Sequence, residues 1–173
     1  MYFSSFPKIV YDIDNTGKLT IVTEIFRRIK IREKIADNSA LYFKYLVQSG
    51  DTPESIAYRH FGSQHLHWVI LLTNNITDRY YGWPLDDQSF EEYVNSKYTN
   101  PGAVHHYEKT QSSGVTTSSD YSHLIEVNST ESGASSVSNY EYERRRQDNL
   151  SLIKVVRPEL ISAFVEEFAK LVR

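Results

Sequence analysis

Between Leu41 and Asn75 the chain is punctuated at short intervals by residues with strong backbone preferences, and no other stretch constrains the fold as much. The aromatic and β-branched run Leu41–Gln48 reads as a strand. It stops at Ser49-Gly50-Asp51-Thr52-Pro53, where each residue has a use. Gly50 supplies the positive φ that a tight reversal needs. Asp51 or Thr52 can cap the unpaired amides of a first helical turn. Pro53 suits the first helical position, which needs no N–H. The spacing predicts a helix over Pro53–Phe61 ended by Gly62, then a second from about Gln64 to Thr73. The Leu66–Leu72 run of the second helix is apolar almost all round, so several of its sides must be buried. Asn74-Asn75 breaks it.

The flanks are less regular. Residues 1–39 form an N-terminal arm, with an Asp14-Asn15-Thr16-Gly17 turn between two extended pieces. Ile21, Ile25 and Ile29 fit a helix, whereas Ile25 to Ile31 alternates at period two, and β-branched content favours strand over Arg27–Arg32. Both assignments stay open. Residues 40–100 form the compact core, closing with a Tyr80-Tyr81-Gly82-Trp83-Pro84 turn and a helix over Ser89–Tyr98 with Ser89 and Glu92 at capping-box spacing. Residues 101–139 read as a Ser/Thr-rich loop or linker, since 14 of the 30 residues from Thr110 to Asn139 are Ser or Thr. His123–Val127 alone has strand character there. Residues 140–173 give a strand near Leu150–Val156, then a helix opened by Pro158 with an amphipathic stripe through Phe164 and Phe168. That stripe fits the chain's own core and a partner surface equally well.

Composition excludes several classes. The net charge of −3 offers no electrostatic case for nucleic acid or an anionic membrane. The absence of cysteine removes disulfides, thiolate metal sites and cysteine nucleophiles. No Gly-x-Ser-x-Gly elbow, phosphate loop or His-Glu-x-x-His motif is present. His60, His65 and His67 match no common ligand spacing, and structural or surface roles are expected for them. Arg144-Arg145-Arg146, flanked by Glu141, Glu143 and Asp148, reads as a solvated helical or linker face in preference to a phosphate or nucleic-acid site, with an interfacial salt-bridge role as the remaining alternative. Neither catalysis nor a cofactor is expected. The N-terminus lacks the basic and long apolar segments of a secretory signal, so assembly in a cytoplasm is expected. Thirteen tyrosines are many for 173 residues and suit a surface made for protein contacts.

The turn, the two helices and the Asn pair resemble a LysM-like βααβ core, giving an α+β fold with an N-terminal extended arm and a C-terminal strand-helix extension. LysM modules bind N-acetylglucosamine polymers in a groove between the loop after the first strand and the loop before the second. That resemblance implies possible glycan contacts at Gly50, Asp51, Thr52, Asn74 and Asn75. The competing reading makes the same residues a helix cap and a helix stop. It is preferred because Thr77–Pro84 stands where a sugar-binding module runs into its second strand.

Met1–Pro7, Val22–Arg28, the Phe61–Asn74 run and Tyr80-Tyr81-Gly82-Trp83 also resemble the LysM-containing baseplate wedge subunits of contractile-tailed, T-even-like bacteriophages. The resemblance covers the first hundred residues and resumes at Asn149–Arg173. It implies a non-catalytic structural subunit, present in multiple copies in the virion tail baseplate. Such a subunit would join wedge proteins around the central hub near the sheath initiators, after assembly in the host cytoplasm. Tyr2, Phe3, Phe6, Tyr80, Tyr81, Trp83, Phe164 and Phe168 are the candidate interface residues. The alternative is a peptidoglycan-binding module of a tail-tip protein.

Overall fold

A computed structural model describes residues 2–27, 29–32, 35, 38–111 and 123–172. The chain divides into two compact units, one of residues 1–83 and 151–173 and the other of residues 84–150. The expected four regions are therefore redrawn: the second unit interrupts the chain of the first.

The first unit starts with a 3-10 turn at Tyr2–Ser5 and a hairpin of β1 (Lys8–Tyr11) and β2 (Thr20–Thr23), paired antiparallel with Ile9 opposite Val22. The expected turn lies between them. Asn15 and Gly17 take positive φ, and the Asp12 carboxylate accepts the Thr16 and Gly17 amides. The open assignment around Ile21 resolves as strand for β2, because its cross-strand partner is at hand. No regular element covers Arg27 or residues 29–32, so the strand preference there is not met.

Next come β3 (Tyr42–Leu46), α1 (Pro53–Phe61), a 3-10 turn at Gln64–Leu66, α2 (His67–Thr73) and a short α3 (Arg79–Gly82). Thr52 caps α1 reciprocally with Ser55, and Gly62 ends it at φ 71°. The Tyr80–Pro84 turn is instead mostly helical, because Asp78 caps it by accepting the Tyr80 amide. The strand that pairs with β3 comes from far along the chain. It is β7 (Leu152–Val156), antiparallel with Phe43 opposite Val155. A 3-10 turn at Pro158–Leu160 then leads into α6 (Ile161–Val172). Trp68, Val69, Ile70, Ile56, Val155 and Val156 are buried around this two-stranded ladder.

The second unit holds α4 (Asp87–Lys97), a sheet in the order β5-β4-β6, and α5 (Asn139–Ser151). Its strands are β4 (Val104–Thr110), β5 (Leu124–Val127) and β6 (Ser135–Ser138). Three strands thus run through the stretch expected to be loop or linker. Antiparallel pairing to β4 supplies the hydrogen bonds that a serine-rich segment cannot arrange by itself. The α4 cap is Asp86, which accepts the Ser89 amide, and not Ser89 with Glu92. Ser89 spends its hydroxyl on the same carboxylate. Phe90, Val94 and Val137 are buried in this unit.

Candidate functional site

The turn after β3 closes through one carboxylate. Asp51 accepts from the Tyr45 hydroxyl at 2.7 Å, from Arg59 Nη2 at 3.0 Å and from the Gln48 amide at 3.2 Å. Arg59 Nη1 also donates to the Tyr45 oxygen. Burial opposes ionisation of Asp51, but these donors outweigh it and hold the carboxyl below the usual carboxylate range. The Asp51 carbonyl accepts the Trp83 indole N–H at 2.9 Å. Gly50 takes φ 83°, and Thr52 Oγ1 is occupied by the Ser55 amide. The Asp51 carboxylate and Thr52 Oγ1 thus both accept hydrogen bonds from within the fold.

The second loop is used in the same way. Asn74 Nδ2 donates to the carbonyls of Ile70 and Lys154, while Asn74 Oδ1 accepts the Lys154 amide. Asn75 takes φ 53°, and its amide bonds the Leu72 carbonyl to end α2. Both loops lie in the first unit. The side chains of Asp51, Thr52 and Asn74 hold a turn, a helix start and a strand, respectively.

The candidate interface residues fall into two groups. Phe6, Trp83 and Phe168 are buried, and Tyr2 and Phe164 are half-buried. Phe168 stacks against Trp68 with centroids 4.4 Å apart, and Tyr2 lies 5.3 Å from Phe168 and 5.0 Å from Phe6. The N-terminal aromatics and the α6 stripe therefore cover each other and Trp68, forming core. Phe3 is half exposed, and Tyr80 and Tyr81 are each 85% exposed on the short α3. Of the candidate interface residues, these three keep exposed rings.

Sequence reasoning missed the most exposed apolar surface. Val10, Tyr11, Ile13, Leu19 and Ile21 project from the β1–β2 hairpin with more than half their surface in water, and Phe26 beyond it is 88% exposed. The available signal was that Ile9-Val10-Tyr11 and Ile21-Val22 are apolar on consecutive positions, which fills both faces of a strand. A groove of about 500 Å³ also opens beside α6, lined chiefly by Ile31, Leu41, Tyr42, Leu72, Phe164 and Leu171. The Tyr42 hydroxyl is buried with no hydrogen-bond partner among the described residues.

The arginine triplet lies on α5 and forms ion pairs. Arg145 grips Glu108 through both terminal nitrogens at 2.8 and 3.0 Å, and its Nε meets Glu141. Glu143, 1% exposed, accepts from Lys97 at 2.6 Å, Tyr98 at 2.8 Å and Arg146 at 3.3 Å. Its burial disfavours charge, yet these donors prevail and its carboxyl is held low. The triplet is thus spent within the second unit. His60 packs edge-on against Phe43 and Tyr45, and His67 Nδ1 lies 2.9 Å from the Gln64 carbonyl. No group of three or more metal-ligating side chains occurs among the described residues.

Comparison with known proteins gives a consistent result. The base plate wedge protein 53 family profile matches residues 1–117. Baseplate wedge protein gp53 of Enterobacteria phage T4 is 30% identical over 105 residues, which cover 59% of this chain and 54% of the relative. The chain therefore spans about half the length of the curated relative it matches.

Proposed function

The chain belongs to the base plate wedge protein 53 family, and on that premise we propose that it is a structural subunit of a contractile phage tail baseplate. The family match over residues 1–117 carries this reading. In it the protein sits in the virion, joins wedge proteins around the central hub near the sheath initiators, and is assembled in multiple copies in the host cytoplasm. Its work is to bury surface against partners; it performs no chemistry. The exposed apolar hairpin and the rings of Tyr80 and Tyr81 support it, since structural subunits keep such surface for assembly.

The first unit also supports a LysM-like origin for the scaffold. From β3 its order is strand, two helices, the short α3 and the closing strand, with β3 and β7 antiparallel and 67 residues of a second unit inserted before that strand. Sugar binding is not part of our reading. Asp51, Thr52 and Asn74 are committed to the fold through the hydrogen bonds above.

The test is incorporation. A phage with its own copy of this gene disrupted should yield wedges that fail to close into baseplates, and an epitope-tagged copy should restore tails and appear in them by immunoblot. Complete, tag-free tails from complemented cells would sink the assignment.

A further inference from the structure

We propose that His105 and His106 form a bidentate site for a divalent transition-metal ion of tetragonal preference, Cu2+ before others, held through the Nδ1 atoms of both rings. Neighbouring residues of a strand ordinarily point to opposite faces. These two do not, because β4 carries a bulge here. Val104 pairs with Ser138 and His106 with Val137, so His105 is an extra residue and the two histidines together oppose Val137. Their rings meet edge to face, with one Nδ1 2.9 Å from the other.

That spacing selects among metals. With a metal–imidazole distance of about 2.0–2.1 Å, two nitrogens at a right angle around one ion lie about 2.9 Å apart, and two at a tetrahedral angle about 3.3 Å. The right-angle value is the one found, and it belongs to square-planar and tetragonal Cu2+ and Ni2+, of which Cu2+ binds nitrogen ligands more tightly. In the metal-free pair one Nδ1–H donates to the other ring's nitrogen. In the metal-bound pair both rings carry their proton on Nε2, which leaves both Nδ1 lone pairs as ligands. The surroundings favour that tautomer for His106, whose Nε2 lies 3.9 Å from Glu108 Oε2. Arg145 fixes this carboxylate through both terminal nitrogens. A carboxylate behind the second nitrogen is the common partner of a metal-binding histidine. His105 is held from the other side, stacked on Tyr142 with centroids 3.9 Å apart and planes 10° from parallel. It is exposed, so water can fill the positions that two side chains leave. Two protein ligands are fewer than a structural metal site uses, and the ion is therefore exchangeable.

Titration of the tag-free full chain with CuCl2, followed by calorimetry and electron paramagnetic resonance, tests this. The expected result is one site per chain, with an axial spectrum that carries the splitting of two nitrogens. His105→Ala, at an exposed ring, should weaken binding by roughly 10–100-fold or more, since loss of an outer partner alone costs that much. It should also reduce the splitting to that of one nitrogen, with an unchanged circular dichroism spectrum. His106→Gln should do the same. A His65→Ala/His67→Ala variant is the control and should leave both readouts as they are. Absence of binding up to sub-millimolar Cu2+ overturns the proposal. So does binding that survives His105→Ala undiminished, or that disappears in the His65→Ala/His67→Ala control. The inference is independent of the baseplate assignment, which each of these results would leave standing.

Discussion

The side-chain amide of Asn74 pairs with both main-chain groups of Lys154, donating to its carbonyl at 2.8 Å and accepting its N–H at 2.7 Å. An asparagine at the end of α2 thus acts as a short piece of strand on the outer side of β7, 80 residues away. The same Nδ2 ties off the Ile70 carbonyl at the helix terminus. One side chain joins a helix end to the strand that closes the first unit.

Asn74→Ala is expected to lower stability by about 2–3 kcal/mol, because both main-chain groups of Lys154 lose their partner and the Ile70 carbonyl keeps only the main-chain amide of residue 74. Asn74→Asp keeps the acceptor but loses both donations and should cost a similar amount. Urea denaturation checks this, with the midpoint moving and the slope constant. A neutral Asn74→Ala would show that β7 is held by packing alone.

Asp51→Ala removes the acceptor shared by Tyr45, Arg59 and the Gln48 amide. A loss of about 2 kcal/mol is expected, as for other multiply hydrogen-bonded groups that lose their partner. The wild-type chain should stay in the supernatant when purified peptidoglycan is pelleted. If it pellets, and Asp51→Ala abolishes pelleting with thermal stability unchanged, the residue is a ligand contact and the structural reading of this turn fails.

In the second unit, Glu143→Ala should destabilise by roughly 3 kcal/mol, the low end for breaking a buried ion pair, since Lys97 and Arg146 can turn toward water. The loss should appear as faster amide exchange in α4 and α5. Glu143→Gln, which keeps acceptor and volume, should recover part of it.

Stability should fall with pH in two stages. His60 has a pKa lowered by burial and then by the nearby Arg59 charge. The unfolded chain binds that proton near pH 6.5 and the folded chain only at lower pH, so stability declines as pH falls through this interval. Asp51 and Glu143 are held low when folded. Their contribution is complete above the ordinary carboxylate pKa of about 4 and is lost as pH falls through the lowered folded values. His60→Phe should flatten the first stage and leave the second; thermal melts across pH 3–8 separate them.

Phe168→Ala should cost about 3–5 kcal/mol, as for a buried aromatic truncated to alanine. Trp68, Tyr2 and Phe6 all pack on that ring, so the N-terminal segment should also become cleavable in limited proteolysis. Phe3→Ala, at a half-exposed ring, should leave the cleavage pattern unchanged.

Much of the first unit could be read from short segments. The Thr52 cap, Pro53 start and Gly62 stop follow from side chains acting on backbone within four residues, and they stand where the spacing put them. The Asp14–Gly17 turn is equally local, although the Asp12 carboxylate that accepts its Thr16 and Gly17 amides was not foreseen. Local signals failed where two options competed at close range. Asp86 and Ser89 both suit the start of α4, and only the geometry shows the carboxylate taking the amide. The serine-rich strand β6 was illegible because its stability comes from pairing with β4, not from its own hydrophobicity, whereas β5 falls in the His123–Val127 segment whose strand character the sequence shows.

The sequence by itself determined where α1 begins and ends and where α2 stops, because caps and stops act within a turn or two of backbone; the expected start of α2 near Gln64 is instead a 3-10 turn, and the α-helix begins at His67. Tertiary structure alone decided which strand completes the sheet, that Phe6 and Phe168 are core while Ile21 and Phe26 face water, and that Asp51 and Asn74 serve the fold. Those outcomes depend on pairings between residues tens of positions apart. Closing such a loop costs only slightly more as it lengthens, so no spacing in the chain announces which distant segment will fill the place.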